Sequence, residues 1–169
     1  MTAFTKSGRP KMQIPLQPFD YVLEALGLLS LVLMIGLSVY HYNDLPATIP
    51  THFGADGQPD QTGSKTTLWI LPVLSVIIFS LMTILSRFPH NFNYMVNITP
   101  ENAERQYTMA TRLIRFMKML AILIFTFITW RTIQISGGAA TGLGTGLLIL
   151  PVLILGLTVY YVYQSFSKQ

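Results

Sequence analysis

The side chains with the greatest chemical capacity fall in one stretch of the 169-residue chain, residues 45–65. His52, Asp56 and Asp60 bring an imidazole and two carboxylates close together, with His41 and Asp44 just upstream. Imidazole nitrogen with carboxylate oxygen suits zinc, manganese or another divalent ion. The spacing follows no established ligand code, and a turn at Asp56-Gly57 separates the candidates. A metal-dependent enzyme acting on lipid or peptide is therefore carried as an alternative. Nucleophilic catalysis needs a nucleophile and a positioned base. Ser64 beside Lys65 or His52 comes nearest, without a nucleophile-elbow pattern. A plainer reading has Asp60 capping loop amides and His52 hydrogen-bonded at an interface. The expectation is a ligand-binding surface of His52, Phe53, Asp56, Gly57, Asp60, Ser64 and Lys65, with no catalytic residue and no cofactor.

The rest of the chain says what must hold these residues. Half of it is hydrophobic and only 11% is charged, against about 25% in soluble domains. There are no cysteines, which removes disulfides, thiolate metal sites and cysteine nucleophiles. A bilayer core needs about 20 apolar residues as helix. Residues 21–42, 68–86, 113–135 and 143–163 each meet that need. The first stretch lacks a small-residue cleavage site at Ser38-Val39-Tyr40, so it reads as a retained span and not a signal peptide.

Lysine and arginine set orientation. Lys6, Arg9 and Lys11 precede the first span, and Lys65 in the first loop is outnumbered by Asp44, Asp56 and Asp60. Arg87, Arg105, Arg112, Arg115 and Lys118 cluster after the second span, with Arg131 near the third loop and Lys168 in the tail. Both termini are expected in the cytoplasm, and the net charge of +4 is read as topological, with no nucleic-acid partner. The loop of residues 43–67 then lies outside. Asp56-Gly57 predicts a turn there, giving a short β-hairpin or compact loop whose Ile49 and Phe53 dip toward lipid or pack on helix ends.

On the opposite face, Thr99 suits an N-cap and Pro100 a first helical position. One long helix is expected from there to Gly137, projecting below the membrane. Arg112, Arg115 and Lys118 are expected at the lipid headgroups, and Glu24 at the interface. Asn93, Tyr94, Asn102 and Arg105 form a candidate surface for a cytoplasmic regulator. Gly138, Gly142 and Gly146 recur every fourth residue, a stripe that permits close helix packing and a homo-oligomer.

The pattern Leu45-Pro46, Ile49-Pro50, His52-Phe53, Gly57, Pro59-Asp60, Ser64-Lys65, flanked by spans, resembles a widespread bacterial membrane domain of unknown function. That domain forms the N-terminal part of the SdpI-type immunity proteins, and the likeness covers residues 21–86. The resemblance implies resistance to a secreted toxin, and a signal passed inward by holding a transcriptional repressor at the membrane. Asn91-Phe92-Asn93-Tyr94 and residues 99–106 resemble a shorter four-span branch. The expected fold is all-α: one integral membrane four-helix domain, 1–169, in a bacterial cytoplasmic membrane. The expected function is binding, in immunity or signalling, of a toxin, peptide or envelope component. A structural subunit of a membrane complex is a further alternative.

Overall fold

The computed structural model describes residues 8–144 and 149–167. Lys6, Gly146 and Lys168 lie outside them. Among the described residues four α-helices follow one another: α1 (Pro18–His41), α2 (Ile70–Leu85), α3 (Ala103–Ser136) and α4 (Ile149–Ser167). A hairpin of β1 (Thr48–Phe53) and β2 (Pro59–Ser64) stands between α1 and α2, and a 3-10 turn, Lys65–Trp69, leads from β2 into α2. Three helical segments, Pro18–His41, Lys65–Leu85 and Ala103–Ser136, are long and apolar enough to cross a membrane. Leu29 (65% exposed), Leu81 (60%) and Leu155 (66%) point away from the protein. So broad an apolar exterior suits lipid and not water.

Pairwise contacts give the helix directions. Asp20 meets Arg112 and Ser30 meets Thr126, so α1 and α3 run the same way. Lys118 reaches Thr83, and Met34 touches Ser75, so α2 runs against both. Thr158 lies on Met117 and Ser165 on Gln106, so α4 runs antiparallel to α3. The apolar interior between α1, α2 and α3 centres on Leu31, Met34 and Ile122, with Leu71, Phe79 and Phe125 around them. A second group, Leu23, Met119 and Leu120, takes Ile154 and Leu157 from α4.

Two sequence expectations change here. α3 starts at Ala103, after Asn102 and not at Pro100. Asn102 accepts from the Thr99 amide at 3.0 Å and donates to the Asn97 carbonyl at 3.0 Å, which ties residues 97–102 into a turn before the helix. The glycine stripe is not helical where described. Gly138 has φ +77°, backbone that ends a helix and does not build a face, and Gly142 lies outside any helix. α4 accordingly is described from Ile149, later than residue 143.

Candidate functional site

The hairpin is built by alternation that fails at a useful place. Ile49 is 1% exposed and packs with Leu45, Leu68 and Ile133, anchoring β1 on the ends of α1, α2 and α3. Thr48 pairs with Ser64, Ile49 with Gly63 and Pro50 with Thr62. The register then shifts around His52, which pairs with Gln61, while Phe53 pairs with Pro59. Asp60 is left unpaired by that shift, and such irregularities re-aim side chains. Its Oδ1 lies 2.6 Å from His52 Nδ1, with both side chains at least half exposed.

The turn below this pair is fixed by other residues. Asp56 Oδ1 accepts from the Gln58 amide at 3.0 Å, so the amide cap sits on Asp56 and not on Asp60. Gly57 has φ +74°, and its carbonyl accepts from the Leu143 amide at 2.8 Å. A Cβ on Gly142 would come within 2.7 Å of that carbonyl. Only glycine lets the α3–α4 loop approach the turn so closely. Arg131 completes the fastening, donating Nε and Nη2 to the Gly142 carbonyl.

Ser64 and Lys65 act within the fold. Ser64 Oγ meets Thr66 Oγ1 at 3.0 Å. Lys65 Nζ donates to the Tyr42 and Leu45 carbonyls at 3.2 and 3.3 Å, and stands 4.9 Å from the Tyr42 ring centre. It staples the start of α2 to the end of α1. Neither a Ser64–Lys65 nor a Ser64–His52 hydrogen bond forms among the described residues.

Beneath the hairpin lies an open cavity of about 840 Å³. Every residue from Ile49 to Phe53 borders it. The lining continues from β1 through the turn to Gln58. Among the described residues β2 is the one strand partner of β1, so the other edge of β1 has no strand beside it. Leu68, Ile70, Leu71, Ile128 and Leu143 make much of the opposite wall. Thr129 also lines it, and its buried Oγ1 has no hydrogen-bond partner. Elsewhere in the helices Thr108, Thr111, Thr126 and Thr158 donate to the carbonyl four residues back. Among the described residues no three His, Cys, Asp or Glu side chains gather as a metal would require.

The other end of the bundle holds a cluster that sequence reasoning missed. Asp20 Oδ1 receives Arg112 Nε at 3.0 Å and lies 3.6 Å from Arg115 Nη1. Glu24 receives Lys118 Nζ at 2.6 Å and lies 3.6 Å from Arg115 Nε. Lys118 also donates to Thr83 at 2.7 Å and is fully buried. The basic stripe therefore turns toward α1, which supplies acids at the same depth. The signal was in the spacing. Asp20 and Glu24 are four apart, and Arg112, Arg115 and Lys118 three apart, as one helix face requires.

The candidate regulator surface divides. Asn93 is exposed. Tyr94 is tied inward, donating to the Pro89 carbonyl at 2.9 Å under Arg9, and burial pushes its phenol above the ordinary range. Asn102 holds its turn, and Arg105 is half-buried with both terminal nitrogens lacking hydrogen-bond partners.

Residues 29–76 match the family described as a domain of unknown function (DUF1648). This covers the end of α1, the hairpin and the start of α2. The chain is also 30% identical over 121 residues to an uncharacterized protein of Archaeoglobus fulgidus, a match covering 65% of this chain and 66% of that relative. The aligned part thus spans about 66% of the relative's length. No solved structure matches the chain.

Proposed function

We propose that this chain is a membrane receptor that captures an extended, apolar peptide segment beneath the β1–β2 hairpin, in the manner of an immunity protein of the SdpI type. The observation that carries the reading is the cavity of about 840 Å³ bordered by β1, a strand with one partner among the described residues. An extended peptide adds to the edge of such a strand through its main chain, and pockets beside it select its side chains. Ile70, Leu71 and Ile128 suit an apolar side chain. His52 borders the cavity and forms a solvent-open hydrogen-bonding pair with Asp60. The distribution of basic residues supports a hairpin outside and both termini in the cytoplasm of a prokaryotic cell. α3 then supplies the inward lever, provided the ligand binds one arrangement of the bundle better than another.

A photo-crosslinking amino acid at Phe53, in cells that make the protein, tests the reading. Capture of a defined peptide, abolished by Leu71→Trp, is the expected result. Crosslinks to lipid alone, or capture indifferent to Leu71→Trp, would overturn it. The native chain has no cysteine, so single cysteines report orientation cleanly. A membrane-impermeant maleimide should label Thr62→Cys in intact cells and Met95→Cys only after lysis. The reverse pattern would place the hairpin inside and end the receptor reading.

A further inference from the structure

At the end of the bundle away from the hairpin, a second pocket of about 340 Å³ opens beside Glu24, Thr83, Ser86, Arg87 and Arg115. It lies where α1 begins and α2 ends, which is where a spanning bundle meets the headgroup zone. The pocket's charged lining and its ion-pair partners comprise four cations (Arg87, Arg112, Arg115, Lys118) and two carboxylates, Asp20 and Glu24, an excess of two positive charges within this cluster. Arg112 is committed to Asp20 and Gln17, and Lys118 to Glu24 and Thr83.

Arg115 is not committed in that way. It is 5% exposed, its Nη1 has no hydrogen-bond partner, and both its carboxylate neighbours stand at 3.6 Å. A buried guanidinium with an unsatisfied N–H is costly unless something accepts from it. Arg87 is exposed at the pocket's rim and makes no ion pair among the described residues. The groups that would repel an anion are occupied. Glu24 is neutralised by Lys118, and the Met82, Thr83 and Ile84 carbonyls at the end of α2 accept from the Ser86 amide, the Ser86 hydroxyl and the Arg87 amide.

We infer that this pocket binds a phosphate group, held between Arg115 and Arg87, and that the group belongs to an anionic phospholipid. Guanidinium forks match phosphate oxygens in geometry as well as charge. Ile14 and Leu16 flank the pocket with apolar surface, which a lipid's glycerol and upper chains would cover and a free ion would not. The bound phosphate would set its negative oxygens between the two arginines that line the pocket, Arg87 and Arg115, and so stabilise this end of the bundle.

The test is native mass spectrometry of the full chain, released from nanodiscs of mixed phosphatidylglycerol and phosphatidylcholine. Arg87→Gln and Arg115→Lys are measured beside it. Arg87→Gln alters an exposed side chain and should leave folding untouched. The wild type should retain one phosphatidylglycerol about tenfold over phosphatidylcholine, and either variant should lose most of that preference. A second arm adds inorganic phosphate to lipid-stripped protein. Phosphate binding that depends on Arg87, without phosphatidylglycerol preference, would uphold the anion site and overturn its assignment to lipid. Equal retention of both lipids with no phosphate binding, or a preference that Arg87→Gln leaves intact, would overturn the site itself.

Discussion

His52 and Asp60 meet at 2.6 Å with at least half of each side chain open to solvent, and Lys118 and Glu24 meet at 2.6 Å with the lysine sealed inside the bundle. Equal distances carry unequal consequences. An exposed pair contributes about 0–1 kcal/mol. Removing one partner of a buried pair costs about 3–5 kcal/mol, because the remaining charge is left without compensation. The two ends of the molecule therefore hold polar residues for different reasons. The charged end fixes how α1, α2 and α3 fit together. The hairpin end displays groups that the fold scarcely needs, on a small sheet anchored by Ile49. Polar groups that folding does not require are free to serve a ligand.

The largest expected effect tests the sealed end. Lys118→Ala should destabilise the protein by about 3–5 kcal/mol, read as a lowered unfolding midpoint in mild detergent. Adding Glu24→Gln should recover much of the loss, since no buried charge is then orphaned. A midpoint unmoved by Lys118→Ala would mean that this end is wet, and the contrast would fail. Ile49→Ala comes next, at about 2–5 kcal/mol for a buried aliphatic side chain. Its effect should be local, with amide exchange rising in β1 and β2 while the centre of α3 stays protected. Smallest is the rim pair. His52→Ala with Asp60→Asn should shift stability by less than about 1 kcal/mol yet weaken ligand capture. A large loss of stability from this pair would make it a structural clasp and remove the reason for assigning it to a ligand.

Much of the fold was legible because lipid imposes simple rules on sequence. Apolar length marked the first three spans, and Asp56-Gly57 marked the hairpin turn that now joins β1 to β2. For Ile49 the sequence left lipid and helix ends open, and the residue packs with Leu45, Leu68 and Ile133. Interactions distant in sequence were not legible. Spacing put the acids on one face of α1 and the bases on one face of α3, but nothing local to Arg115 says that the two faces meet, since a basic stripe on one helix looks the same whether lipid or acid faces it. Gly142 misled in the same way. Its four-residue spacing from Gly138 mimics a helix face, while its actual constraint is the Gly57 carbonyl, 85 positions earlier in the chain. For the site, residue types pointed to His52 and Asp60, but the register shift that joins them is a property of the strand pair. The cavity, formed from the hairpin, α2, α3 and the loop at Leu143, had no signature in any one segment.

The most direct test of the receptor reading is native mass spectrometry of the protein released gently from its own membranes, beside the His52→Ala, Asp60→Asn double variant and a cavity-filling Leu71→Trp variant. A peptide adduct on the wild type that is weakened in the first variant and absent in the second is the predicted result, and its mass would begin to identify the ligand. A stoichiometric metal mass lost with His52 and Asp60, or a wild type that carries no peptide when its producing cells are present, would contradict the account.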